Sequence, residues 1–259
     1  MFSQVETVVF DLDGTIYQDT EFHHLYLRFL VEETPYAAWG DALITFCERV
    51  FSGDALVMNS FYRTAKGEFS HPCGFFDALE SLRLDAYEPG AFNLGDAWAV
   101  VEYIGRSLGL LDNGRREEVY AKTRAEMAAT GLRADARLRE SLRALTGRCE
   151  TVLISNSYES TAMDFLRAIG FDDVFARRVF SANKPDGLLG ALQGALPDAL
   201  KKPQTILSVG DFAYNDLLPL RALGAKTVWI NPYPNVAKPP CDLELKTTAD
   251  LAQLLDSLC

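Results

Sequence analysis

A doubly wound parallel α/β sheet, interrupted by an all-helical insertion, is the fold this sequence predicts. Three observations carry the prediction. An apolar run, Val8-Val9-Phe10, comes near the start and feeds directly into Asp11-Leu12-Asp13-Gly14-Thr15. From about residue 134 onward, short apolar runs alternate with amphipathic segments. Between these two regions, residues 18–133 are rich in Ala, Leu, Glu and aromatic residues at helical spacing. A run that is apolar on both faces suits a buried parallel strand. Alternating strands and helices imply parallel pairing through right-handed crossovers. The first strand therefore belongs with the C-terminal half, giving a core of residues 1–17 and 134–259 and an inserted domain of residues 18–133.

The elements follow in order. Residues 5–11 form the first strand. In the insertion, Phe22, Leu25, Tyr26, Phe29 and Leu30 share one helical face, and further helices are expected at 42–51, 97–108 and 115–129. Breakers at Pro35, Gly53, Gly67, Pro72, Pro89-Gly90 and Gly131 separate them. No strand pair is apparent there, and the many aromatic residues read as core filling. Beyond the insertion, helices are expected at 137–145, 158–169, 188–196, 216–223 and 248–258. Strands are expected at 151–154, 179–180, 205–209 and 227–230. Gly170 and Gly224 stand just past two helices, and Pro219 falls in a first turn, where proline is tolerated. A proline-rich loop with Pro232, Pro234 and Pro239-Pro240 precedes the last helix.

Composition narrows the function. Hydrophobic residues make up 48% of the 259, enough for a sizeable core or two. The net charge is −11, with 25 basic and 36 acidic residues and no basic run, which argues against nucleic acid as a partner. No apolar run approaches a membrane span, and the first strand leaves no room for a signal peptide, so a cytoplasmic protein is expected. Five scattered cysteines (Cys47, Cys73, Cys149, Cys241, Cys259) without a C-x-x-C pair fit free thiols in a reducing compartment. The three histidines are His23, His24 and His71. These are few for a histidine-based metal site or a Ser-His-Asp triad, and the adjacent pair reads as helix residues rather than ligands.

The first four core strands end in polar groups. Asp11 and Asp13 follow the first, Ser155-Asn156 the second, Asn183-Lys184-Pro185 the third, and Gly210-Asp211 with Asn215-Asp216 the fourth. Ligands of open α/β sheets bind outside the carboxyl ends of the strands, so these groups would converge. Several carboxylates with few histidines suit a hard cation such as Mg²⁺. The lysine offers a point charge to phosphate, and a helix N-terminus with Ser155 offers donors to an anion. An aspartate facing a phosphoryl group can act as a nucleophile.

In these four stretches the chain resembles the haloacid dehalogenase superfamily, in its phosphatase branch. The matching segments are Asp11-Leu12-Asp13-Gly14-Thr15, Ile154-Ser155-Asn156, Lys184-Pro185 and Gly210-Asp211-Phe212-Ala213-Tyr214-Asn215-Asp216. The resemblance implies a Rossmann-like core with a helical cap inserted after the first motif. It implies Asp11 as nucleophile and Mg²⁺ ligand. Asp13 would be the general acid and base, with its backbone carbonyl also on the metal. Thr15, Ser155 and Asn156 fall among the phosphate-binding positions, and Lys184 neutralises the phosphoryl charge. Asp211 and Asp216 complete the metal site. Tyr17, close to the nucleophile, has either substrate or hinge packing to meet. The insertion's place in the chain predicts a mobile cap that restricts substrates to small molecules.

The leading expectation is therefore an Mg²⁺-dependent phosphatase that hydrolyses a small phosphorylated metabolite through an aspartyl-phosphate. The family's dehalogenases lack an acid at the position of Asp13, because halide needs no proton. A sugar phosphomutase of the same fold is the alternative, since it shares all four motifs. A non-catalytic binding protein on the same core ranks behind both, because Asp11, Asp13, Lys184 and Asp211 are all present.

Overall fold

The computed structural model describes residues 2, 4–19, 21–130 and 135–258. In chain order, β1 (Thr7–Phe10) leads to α1 (Phe22–Val31), α2 (Gly40–Ser52), β2 (Phe61–Tyr62), α3 (Pro72–Ser81), β3 (Arg83–Leu84), β4 (Phe92–Asn93), α4 (Ala97–Ser107) and α5 (Asn113–Ala129). Then come α6 (Ala136–Thr146), β5 (Glu150–Ile154), α7 (Glu159–Ala168), β6 (Arg177–Val179), α8 (Leu188–Ala195), β7 (Ile206–Gly210), α9 (Ala213–Asp216), α10 (Leu218–Arg221), β8 (Lys226–Ile230), β9 (Leu243–Leu245) and α11 (Thr248–Leu258). The chain divides into two compact units. One comprises residues 1–19, 128–232 and 239–259, the other residues 20–127 and 233–238.

The first unit is the α/β core. Among the described residues, six strands pair in the order β6-β5-β1-β7-β8-β9, every pair parallel. All four residues of β1 are buried, as a central strand covered on both faces requires. Phe10 stands opposite Leu153 of β5 and Val209 of β7, so the three strands end level. The chain builds outward from β1 through β5 and β6 on one side, then returns to build β7, β8 and β9 on the other. Asp11 therefore leaves the sheet where the strand order reverses, the place where open α/β sheets form their crevice. Leu188 and Leu192 of α8 pack with Val9, Val152, Ile154 and Ile206. Asp256 of α11 accepts hydrogen bonds from Ser141 Oγ (2.6 Å) and Arg137 (3.1 Å) of α6.

Two features of the core differ from the expectation. The helix expected at 216–223 is two short helices, because Pro219 has no N–H to continue the ladder from α9, and α10 starts afresh around it. The sheet also has a sixth strand, β9, inside the stretch expected to be loop.

The second unit is built around aromatic packing. Phe22 of α1 stacks on Trp98 of α4 (centroids 4.0 Å apart), and Phe46 of α2 on Phe76 of α3 (4.4 Å). Buried Tyr103 donates its hydroxyl hydrogen to the Arg63 carbonyl at 3.0 Å, so its polar tip is satisfied inside the core. Asp96 caps α4, accepting from the Ala99 N–H at 2.5 Å. Alongside the helices lies a small antiparallel sheet of order β3-β2-β4. Its strands have two residues each, too short to show alternation in the sequence.

The unit boundaries also depart from the expected ones. Gln18 and Asp19 go with the core, and Gln18 donates to the Lys246 carbonyl at 3.1 Å. Residues 233–238, expected in the core, belong to the helical unit. There Met58 N–H donates to the Asn235 carbonyl (3.0 Å) and Ala237 N–H to the Met58 carbonyl (2.9 Å). Asn59 Nδ2 reaches the Ala237 carbonyl (2.7 Å), and Asn235 Nδ2 the Gly53 carbonyl (3.2 Å). The expected boundary at 133/134, Gly131 and Cys259 lie outside the described residues. Cys47 and Cys73 are free thiols. Among the described residues, no helix is long and apolar enough to cross a membrane.

Candidate active site

The carboxyl ends of β1, β5 and β7 bring the expected residues together. Lys184 is the hub. Its ammonium donates to Asp11 Oδ1 at 2.5 Å and to Asp216 Oδ1 at 2.6 Å, and all three side chains are buried. Asp216 is fixed in turn, accepting from the Phe212 N–H at 3.0 Å, while its backbone carbonyl accepts from Ser208 Oγ at 2.6 Å. The Asp211 carbonyl accepts from Trp229 Nε1 at 2.8 Å.

Charge at this site is unevenly balanced. Burial pushes Asp11 up to about 7, Lys184 opposes the rise, and the neighbouring Asp216 and Asp13 add to it. Burial raises Asp216 in the same way, again against Lys184. For Lys184, burial works against the charge, but the two carboxylates outweigh it and hold the ammonium above its ordinary range. More cationic charge would settle these carboxylates.

Asp11, Asp211 and Asp216 each offer an oxygen, all within 4.8 Å of one another. The donors are oxygen alone, as a hard divalent cation prefers. Two glycines make the space. A Cβ on Gly14 would stand 1.8 Å from Asp211 Oδ2, and one on Gly210 2.4 Å from Asp216 Oδ2. Gly14 also has φ +72°, where a side chain is strained in any case. The residues present therefore fit a divalent metal. The carboxylate of Asp13 is not part of this cluster.

Asp13 has its own setting. Ser157 Oγ donates to its Oδ2 at 2.7 Å, and the Tyr17 hydroxyl donates to its Oδ1. Tyr17 is anchored by its ring against Phe165, 4.9 Å between centroids. A hydroxyl can donate to a carboxylate and accept from a carboxylic acid, so the same two contacts suit Asp13 in either protonation state. Sequence reasoning missed Ser157. The available signal was its place two residues after Ser155 in the loop leaving β5.

The expected phosphate-binding residues separate into distinct settings. The Thr15 hydroxyl is buried without a hydrogen-bond partner. Ser155 Oγ is engaged with Ser157, donating to its Oγ and accepting from its N–H, both at 3.0 Å, so it begins a chain that ends on Asp13. The Asn156 side chain is engaged with Lys184. Its Oδ1 accepts from the Lys184 N–H at 2.7 Å and its Nδ2 donates to the Lys184 carbonyl at 3.1 Å. Both ends of its carboxamide thus clamp the Lys184 backbone, and Asn156 positions the lysine.

A family model for haloacid dehalogenase-like hydrolases matches residues 5–224. The chain belongs to the haloacid dehalogenase-like hydrolases. Solved structures resemble this hydrolase across nearly its whole length at low identity. Bacillus subtilis YfnB, in a magnesium-bound form, is 17% identical, covers 98% of this chain and 99% of its own, and has a TM-score of 0.57. A Thermotoga maritima protein assigned as a β-phosphoglucomutase is 14% identical (98% and 100% covered, TM-score 0.56). A Haemophilus somnus protein with a predicted phosphoglycolate phosphatase activity is 16% identical (98% and 99% covered, TM-score 0.55). Phosphatases and haloacid dehalogenases both occur among the similar structures. A search of curated proteins found no match. At these identities the structures establish the fold that this haloacid dehalogenase-like hydrolase shares with them, and its chemistry must be argued from its own residues.

Proposed function

We propose that this hydrolase is an Mg²⁺-dependent phosphatase acting on a small phosphorylated metabolite through an aspartyl-phosphate on Asp11. The observation that carries the reading is Asp13 beside Asp11, held through both carboxylate oxygens by Ser157 and Tyr17. Displacement of halide leaves such a group nothing to do. Displacement of an alcohol from phosphorus needs it, because the departing oxygen must gain a proton.

The steps follow from the chain's own groups. An Asp11 oxygen attacks phosphorus, forming the acyl-phosphate bond as the bond to the alcohol oxygen breaks. Protonated Asp13 gives its proton to that oxygen. The resulting carboxylate then takes a proton from water, the water oxygen bonds to phosphorus, and the bond to Asp11 breaks. Inorganic phosphate leaves, and Asp11 and Asp13 return to their starting states. Lys184 holds Asp11 in place and offsets charge on the phosphoryl oxygens throughout. The Thr15 hydroxyl supplies a further contact to them. Mg²⁺ bound by Asp11, Asp211 and Asp216 would supply additional positive charge opposite the phosphoryl group.

The test is hydrolysis of a panel of phosphorylated sugars, nucleotides, short-chain acids and amino acids with Mg²⁺. Inorganic phosphate should be released from at least one member, with release stopped by EDTA and restored by Mg²⁺. Halide release from haloacids without phosphate release would overturn the reading. Transfer of the phosphoryl group to a second hydroxyl, with no free phosphate, would turn it into the mutase. On this mechanism, Ser157→Ala and Tyr17→Phe should each lower kcat about tenfold, the value of a hydrogen bond to a charged group of ~1.5 kcal/mol, with KM little changed. Variants within twofold of wild type would leave Asp13 working without them.

A further inference from the structure

The helical unit holds a second group of ligand-type side chains, far in chemistry from the carboxylate site. His23 and His24 lie in the first turn of α1, and Glu48 lies on α2. One ring nitrogen from each histidine and a carboxylate oxygen of Glu48 are all within 4.8 Å of one another. His24 Nε2 and Glu48 Oε1 are 3.2 Å apart.

His23 is the independent sign that something belongs here. The residue is 2% exposed, yet neither ring nitrogen has a hydrogen-bond partner. Its ring lies edge-on among other rings, 5.1 Å from Phe51, 4.4 Å from His24 and 6.2 Å from Phe22 between centroids. Buried polar groups are nearly always paired, and none of these ring faces supplies a conventional partner. A buried imidazole with neither nitrogen partnered, beside two other ligand-type side chains, is what a metal ligand is before its metal arrives.

We propose that His23, His24 and Glu48 form a second metal site, for a borderline divalent cation such as Zn²⁺. Two imidazoles and one carboxylate are an established ligand set for this ion, with metal–ligand bonds of about 2.0–2.2 Å and a fourth position left to water. Ligands of a tetrahedral ion at those bond lengths stand roughly 3.4 Å apart. The His24–Glu48 spacing is already there. The side chains of His24 and Glu48 are 42% and 52% exposed, free to turn toward His23 and open to an entering ion. Mg²⁺ prefers all-oxygen sites with several waters and would not compete. A bound ion would tie α1 to α2 through side chains and give buried His23 its missing partner.

The experiment uses the full chain in excess Mg²⁺, with Zn²⁺ binding followed by calorimetry and Co²⁺ binding by visible absorption. One Zn²⁺ per chain is expected to bind, raising Tm, and Co²⁺ should give the intense visible bands of a low-coordinate nitrogen-containing site. His24→Ala and Glu48→Gln change half-exposed residues outside the hydrolytic site. Each should weaken Zn²⁺ binding at least tenfold and abolish the Co²⁺ bands, while Mg²⁺-supported turnover stays within twofold of wild type. Asp211→Asn should keep the bands. Zn²⁺ affinity unchanged in both His24→Ala and Glu48→Gln would overturn the proposal, as would bands lost in Asp211→Asn but kept in His24→Ala.

Discussion

Asp11→Asn is expected to abolish turnover without lowering the protein's stability. Removing a nucleophile from a site whose groups act as a unit costs on the order of 10⁵-fold or more in kcat, and an amide oxygen cannot form the acyl-phosphate. The fold should tolerate the change for a specific reason. Asp11 is raised by burial to about 7 in the folded chain, against an ordinary 3.8. Its ionisation therefore favours the unfolded state, a cost absent below about pH 4 and complete above about pH 7. Asparagine has no charge to bury, and Lys184 keeps Asp216 as a partner. Without divalent metal at pH 7 to 8, Asp11→Asn should melt no lower than wild type. Mass spectrometry of wild type quenched during turnover should find a phosphoryl group on Asp11, and the variant should show none. Turnover within tenfold of wild type would remove Asp11 from the mechanism.

Lys184→Ala is expected to fail in both respects. Removing a positioned charge stabiliser costs about 10²–10³ in rate. It also leaves Asp11 and Asp216 buried without a counter-charge, and breaking a buried ion pair from one side costs about 3–5 kcal/mol. The asymmetry with Asp11→Asn comes from the hub geometry, in which one ammonium serves two carboxylates. Divalent cation should raise the Tm of Lys184→Ala more than that of wild type, since it meets a larger unbalanced charge. Activity within twofold and an unshifted Tm would show that the ion pairs do little.

Much of this was legible in the sequence. Val8-Val9-Phe10 is apolar on every residue because β1 is covered on both faces. Level strand ends turn four separated stretches into one site. What escaped was non-local or too short. β2, β3 and β4 have two residues each, and β9 has three half-buried ones, so none shows a period. Ser157 and the Asn156 clamp depend on loop conformation after β5, which residue types alone do not set. His23-His24 became meaningful only when α2 placed Glu48, 24 positions later, beside it.

The membership of residues 233–238 in the helical unit bears on how this protein can be rebuilt. An insertion joined at two points could be cut out or exchanged for a relative's like a cassette. Here the chain passes between units at four points, and a transplant ending near residues 20 and 127 would leave behind the segment that pairs with Met58 and Asn59. A working chimera must carry that distant hexapeptide along with its host.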